Sequence, residues 1–286
     1  LLEMLHILEA FPSKLLREDS LDRLHLLIEA ARIAWVDNQD SRMPPTMLDR
    51  QLTDRGWAAQ RAKLIRFDRA LLPSEIGGNA PAQYLALGTT QVSVVDRWGN
   101  VVGLSQTTGG FFGATVATPG LGFLYNSNLN AFSYTNALGS HYLRAGSVPT
   151  TAMTPTIILK DGKPYLVLGS AGSDRVVPTM VSVISGIADR GLDLREAVAA
   201  PRAIWGTNWG DPRAFVELAG EITPERADAL ERQGYQDVYR LMFPARWIDI
   251  SAFGGTNAVL NDPRTGMLVG VADPRRSGFA AAPVAH

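Results

Sequence analysis

The apolar pattern changes period across residues 72–88, and that change limits the fold more than any other feature of the sequence. Before it, Leu24, Leu27, Ile28, Ala31 and Trp35 recur at helical spacing and would share one helix face, with Ser20 placed as N-cap. Met43-Pro44-Pro45 interrupts this pattern, and a second polar helical segment is expected to run to Arg69. The stretch from Leu72 to Gly88 contains Pro73, Gly77, Gly78 and Pro81 and reads as an exposed connector open to proteolysis or self-cleavage.

After the connector the period is two. Gln91 to Val95 alternates, Asp96-Arg97-Trp98-Gly99-Asn100 carries turn chemistry, and Val101 to Thr107 returns as the second strand of a hairpin. A second hairpin is expected from Thr156–Leu159, Asp161-Gly162 and Tyr165–Gly169. A helix over Arg175–Arg190 would bury Met180, Val183, Ile184 and Ile187, and Asp193 with Glu196 forms a capping signal for a shorter one ending before Pro201. Thr223 would cap another over Pro224–Gln233. Helices, then strands, then helices, then strands predict a layered α+β fold.

Composition narrows the function. The 27 basic and 28 acidic residues leave a formal charge of −1, which gives nucleic acid or an anionic membrane no electrostatic hold. No apolar run approaches the roughly 18 residues of a membrane span. A small-molecule or peptide ligand is expected. Without cysteine there is no disulfide, thiolate metal site or cysteine nucleophile, and the compartment stays open. Leu1 to Phe11 reads as helix interior, with neither the basic start nor the cleavage site of a signal peptide, so the expectation is of a fragment.

His6, His25, His141 and His286 show no metal-ligand spacing, so structural or solvated roles are expected and no metal. Gly169-Ser170-Ala171-Gly172-Ser173 has its serine one place too early for a nucleophile elbow, and Gly109-Gly110-Phe111-Phe112-Gly113 fits neither a dinucleotide nor a P-loop pattern. A hydrolase so equipped has one economical option, a terminal threonine whose α-amino group acts as base, since that group titrates at about 7.7–8.0. Thr89 and Thr90 stand in that context, between connector and strand, where threonine is also a common structural residue.

A resemblance sharpens the choice. Thr89-Thr90-Gln91-Val92-Ser93-Val94-Val95-Asp96, Gly99-Asn100, Gln106-Thr107 and Phe111-Phe112-Gly113 resemble the start of the small subunit of γ-glutamyltranspeptidases. Met153-Thr154-Pro155-Thr156-Ile157, Lys160-Asp161-Gly162-Lys163-Pro164, Gly169-Ser170-Ala171-Gly172, Glu196-Ala197-Val198, Ala200-Pro201-Arg202 and Ala272-Asp273-Pro274-Arg275-Arg276 follow in family order. The resemblance implies a four-layer αββα sandwich of the N-terminal-nucleophile hydrolase type and self-cleavage at Gly88-Thr89. Residues 1–88 would be the end of a large subunit and 89–286 the small one, each the other's partner, with a homodimer of precursors left open. Acyl transfer from an amide to water or an amine would follow, without metal or organic cofactor.

By the same resemblance Thr89 is the nucleophile, Thr107 its hydrogen-bond partner, and Gly172 and Ser173 the backbone oxyanion pair, with serine where the family has a second glycine; Gly172 also reads as a turn glycine. The donor site departs further. Gly109 stands where an asparagine is usual, Ala131 where an acid would hold the donor ammonium, Thr151-Ala152 for a Ser-Ser pair, and Asn128 for Gln or Glu. Asp174 and Asn130 are nearby polar groups that could compensate. The family's carboxylate-binding arginine lies upstream of the part matched here. The expectation is an amidohydrolase or acyltransferase acting on a γ-glutamyl or related small acyl amide. The alternatives are a non-catalytic homologue used for binding and an acylase with a non-glutamyl donor.

Overall fold

The computed structural model describes residues 1–38, 45–77, 88–134, 137, 141–208, 211–236, 238–242, 253–262 and 265–282. Met43, Pro44, the connector residues Gly78 and Pro81, and His286 lie outside them.

The helical opening consists of α1 (Leu2–Glu9), α2 (Ser13–Arg17), α3 (Leu21–Asn38), α4 (Pro45–Leu52), α5 (Arg55–Ala62) and α6 (Pro73–Ile76). Ser20 caps α3 as expected, its hydroxyl accepting from the Arg23 N–H at 3.1 Å. The connector starts with structure that its composition hid. Pro73 opens the single turn α6, and Glu75 closes back on the Leu72 N–H at 2.7 Å while pairing with Arg69. No described helix is long and apolar enough to cross a membrane.

Strands β1 (Thr89–Val95) and β2 (Val101–Thr107) form the expected hairpin, with Thr89 opposite Thr107. Its turn is held by the Asp96 carboxylate, which accepts from the N–H groups of Trp98 and Asn100 at 2.9 Å each. Strands β3 (Thr156–Lys160) and β4 (Lys163–Ala171) form the second hairpin, with a register shift at Ile158/Leu159. Helices α7 (Val176–Ala188) and α8 (Leu194–Ala199) follow, the latter closed by the Asp193/Glu196 capping box. Next come β5 (Ala203–Asn208), β6 (Asp211–Glu217), α9 (Pro224–Arg232), β7 (Tyr239–Leu241), β8 (Gly255–Asn261) and β9 (Leu268–Ala272).

The sheets are β1-β2, β3-β4-β8-β9 and β5-β6-β7. The alternation of β4 decides the layering. Leu166 and Leu168 point into a core with Met180, Val183, Leu194 and Val198 of α7 and α8. Val167 and Gly169 face the other way, onto the first hairpin. A Cβ on Gly103 would lie 3.2 Å from the Val167 side chain, and one on Gly169 would run into Gln91. Asn257 Nδ2 donates to the Gln91 carbonyl and Ser93 Oγ to the Asn257 carbonyl, both at 2.9 Å, so the two sheets are stitched face to face. Helices, sheet and sheet are thus stacked in that order. The outer face of the first hairpin carries exposed Val92, Val94, Val102 and Leu104.

The third sheet was not foreseen, and it ties the two halves of the chain together. Leu24 and Ile28 of α3 pack with Ala203, Ala214, Val216, Ile222, Leu230 and Tyr235 in one buried cluster. Beside it lies a buried ionic network. Arg202 meets Asp273 at 2.7 Å, and Arg275 meets Glu217 at 2.6 Å and Asp273 at 3.0 Å. These guanidinium groups also donate to the carbonyls of Val198, Ala199 and Ala200, which the end of α8 leaves without helical partners. Burial alone would raise the Asp273 pKa, but Arg202 and Arg275 hold it below the ordinary carboxylate range.

Candidate active site

Two strand ends meet at the candidate nucleophile. Thr89 heads β1 and Thr107 ends β2; their pairing puts the Thr89 hydroxyl 3.0 Å from Thr107 Oγ1, to which it donates. Thr107 Oγ1 also accepts the Gly109 N–H at 3.0 Å, so both of its acceptor directions are used. Gly88 continues the ladder one residue upstream. Its N–H donates to the Gly109 carbonyl at 3.0 Å, and its carbonyl accepts from the Thr108 N–H at 3.1 Å. The bond between Gly88 and Thr89 is therefore held in extended geometry with the Thr89 hydroxyl oriented beside it.

The candidate oxyanion pair sits at the same end of the stacked sheets. Gln91 lies over Gly169, and Gly103, opposite Ser93, lies over Val167. Strand β1 thus runs against β4 in projection, which brings its head, Thr89, towards the residues just past the end of β4. Gly172 has φ 140°, and a Cβ there would stand 2.7 Å from the Gly254 Cα, so glycine is required by backbone and by space. Ser173 has φ 60°, a left-handed conformation that glycine would adopt without strain. The pair precedes α7, whose N-terminal dipole favours negative charge.

The donor positions fall into two groups. Asn128 and Ala131 bound a single 3-10 turn, which is drawn to the Thr107–Gly110 loop by Ser127: its N–H donates to the Thr108 carbonyl at 2.9 Å, and its Oγ accepts the Gly110 N–H at 3.0 Å. Thr150 Oγ1 donates to the Ala131 carbonyl at 3.2 Å and leads into Thr151-Ala152. Thr151, Ala152 and Asp174 line a cavity of about 390 Å³, whereas Gly109, Asn128 and Ala131 do not. The Thr151 hydroxyl accepts the Met153 N–H at 3.0 Å. Asp174 is buried, with its Oδ1 3.9 Å from Arg175 Nε.

The far walls of that cavity come from Glu3, Met4, Trp35, Asn38, Val177 and Trp205. The sequence places none of them at a site: Trp35 reads only as part of a helix face, and the others, spread over α1, α3, α7 and β5, belong to no motif. Glu3 is buried and its carboxyl is pushed up to about 8, by burial first and by neighbouring Asp37 second. Neither lysine nor arginine is found among the described residues lining the cavity. His25 lies elsewhere, in a structural role, bonded to the Arg66 carbonyl at 2.7 Å and to the Tyr235 hydroxyl at 3.0 Å.

The family described as gamma-glutamyltranspeptidase matches residues 1–283. The glutathione hydrolase proenzyme of Escherichia coli is 29% identical over 96% of this chain and 47% of its own length. The acylase ACY 1 proenzyme of a Pseudomonas species is 33% identical over 98% of this chain and 47% of its own length. The chain thus spans about half the length of these curated relatives. Among solved structures, cephalosporin acylase from Bacillus halodurans superimposes with a TM-score of 0.80 at 26% identity, covering 100% of this chain and 49% of that one. A mutant γ-glutamyltranspeptidase from Helicobacter pylori gives 0.53 at 31% identity, over 65% of this chain and 100% of that one. These neighbours agree with the α+β class expected of an N-terminal-nucleophile hydrolase.

Proposed function

We propose, from the premise that this chain belongs to the γ-glutamyltranspeptidase family, that it is an amide hydrolase or acyltransferase whose nucleophile, Thr89, is exposed by self-cleavage at Gly88-Thr89. The observation that carries the reading is the 3.0 Å hydrogen bond from Thr89 Oγ1 to Thr107 Oγ1 beside that bond. Residues 1–88 are then the end of the large fragment and 89–286 the small fragment.

In turnover the freed α-amino group of Thr89 takes the hydroxyl proton as the oxygen attacks an acyl amide. The tetrahedral oxyanion is stabilised by the N–H groups of Gly172 and Ser173, and the leaving amine departs with a proton. Water or a second amine then attacks the Thr89 ester and restores the hydroxyl. Serine in place of a second glycine keeps the N–H that this step uses.

The donor is either a γ-glutamyl compound or another small acyl amide. Ala131 offers an ammonium group no charge, and a relative 33% identical to this chain is named as an acylase, so an acylase with a non-glutamyl donor is the second reading. Intact-mass measurement of the protein and of Thr89→Ala tests the proposal. Wild type should yield a fragment ending at Gly88 and one beginning at Thr89, and the alanine variant should stay whole. An alanine variant that matures normally removes Thr89 from its role, and an uncut wild type points to a binding module.

A further inference from the structure

Resting on self-cleavage at Gly88-Thr89, we propose that Thr108 is a further catalytic residue of that step. Its N–H and hydroxyl form an oxyanion site at the Gly88 carbonyl, separate from the Gly172-Ser173 pair. Two donors of one residue converge on the Gly88 oxygen, the N–H at 3.1 Å and Oγ1 at 3.3 Å. The N–H contact belongs to the strand ladder, but the hydroxyl contact is additional to it. The carbon of this carbonyl is the atom that Thr89 Oγ1 must attack.

The fit is close. A Cβ on residue 88 would come 2.0 Å from Thr108 Oγ1 and 2.8 Å from the Gly110 carbonyl oxygen, so only glycine lets the hydroxyl approach the scissile carbonyl. Thr108 is fixed from the other side, its carbonyl accepting the Ser127 N–H at 2.9 Å. Its hydroxyl has one proton and two acceptors, the Gly110 oxygen at 2.8 Å and the Gly88 oxygen at 3.3 Å. Before reaction the shorter contact holds the proton. Once the Gly88 oxygen gains negative charge it becomes the stronger acceptor, and rotation about one C–O bond transfers the hydrogen bond without moving any heavy atom. An interaction stronger in the transition state than in the ground state accelerates the step.

The step balances as an N-to-O acyl shift. A bond forms between Thr89 Oγ1 and the Gly88 carbonyl carbon, and the carbonyl π pair moves to the oxygen held by Thr108. The Thr89 hydroxyl proton passes to Thr107 Oγ1, which returns a proton to the Thr89 nitrogen as the C–N bond breaks. Water then hydrolyses the ester, leaving a carboxylate on Gly88 and a free hydroxyl and amine on Thr89.

The test follows fragment appearance by intact mass after cell-free synthesis of wild type, Thr89→Ala, Thr108→Val, Thr108→Ala and Thr108→Ser. Valine and alanine keep the N–H and remove the hydroxyl, and both should slow cleavage on the order of 10²-fold, the usual effect of losing one such donor. Serine should restore the rate to within a few-fold. Hydroxylamine, which cleaves the ester, should not rescue valine, because the slow step precedes the ester. Thermal melting of Thr89→Ala with and without Thr108→Val separates a folding defect from a chemical one. Valine and alanine variants that cleave at the wild-type rate, or a serine variant as slow as they are, overturn the role of Thr108. Wild type uncut at Gly88, or Thr89→Ala cut normally, overturns the reading beneath it instead.

Discussion

Replacing Glu3 by glutamine turns a titrating contact into a fixed one. Glu3 is 3% exposed, its Oε1 accepts from Trp57 Nε1 at 2.9 Å, and it shares a hydrogen bond with Asp37. Both Asp37 oxygens are already held by Arg61 at 2.7 Å. Two carboxyls face one guanidinium, so burial and then Asp37 push Glu3 from 4.5 to about 8. The folded protein therefore keeps a proton that the unfolded chain releases above pH ~4.5. Stability from this group is fully present below the unfolded value and is lost as pH rises through the folded one. The slope inside that window is about 1.4 kcal/mol per pH unit, so roughly 3 kcal/mol disappears between about pH 5.5 and about pH 7.5. In Glu3→Gln the amide oxygen still faces Trp57 and the amide N–H can serve Asp37, so the loss should vanish. Urea unfolding of both proteins across that range is the assay. His25, whose pKa burial lowers, acts in the opposite sense by costing stability as pH falls, and it cancels when the two proteins are compared. Parallel stability profiles for wild type and Glu3→Gln would refute the reasoning.

Two further outcomes are expected. Ser173→Gly should raise the unfolding free energy by up to about 1 kcal/mol, read as a higher urea midpoint at unchanged slope, because relief of the left-handed strain is worth roughly 1–2 kcal/mol and glycine gives back part of that as chain entropy; a fall in midpoint would show that the serine side chain contributes more than its strain costs. On a γ-glutamyl anilide, Ala131→Asp should lower KM by about tenfold or more, the worth of one charge-assisted hydrogen bond. If wild type already turns that anilide over efficiently and Asp174→Ala abolishes activity, the ammonium site has moved to the cavity that Asp174 lines.

The parts of the fold that could be read in advance are those whose cues are local. The first hairpin has strict alternation on both sides of an Asp96–Asn100 turn, and α8 and α9 announce themselves by Asp193 and Thr223 caps. The third sheet lacks such cues. β5 contains Gly206, β6 contains Pro212, and β7 pairs with β6 in parallel, a contact between segments with a helix between them. The site divides in the same way. Thr89 and Thr107 were placed by resemblance, and their meeting follows from the hairpin register. The cavity walls did not follow, because Trp35 and Thr151 are joined only by tertiary packing. Thr108 was passed over because its neighbour Thr107 matched a motif and it did not.

The buried cluster that joins α3 to the third sheet would give the proposed self-cleavage a thermodynamic sequel. With the cut proposed at Gly88-Thr89, Leu24 and Ile28 would belong to one product, and Val216, Leu230 and Tyr235 to the other. Before the cut, these side chains meet as parts of one molecule, at the high effective concentration a tether provides. Afterwards the same contacts would be an interface between two polypeptides, and regaining them after denaturation would be a second-order encounter that weakens with dilution. Refolding of an uncut chain would be a first-order process, whereas a cut pair would have to find each other again. Cleavage at Gly88 would thus release the nucleophile's amine and also make the folded state depend on history, reached once through a covalent precursor and not readily re-entered from its pieces.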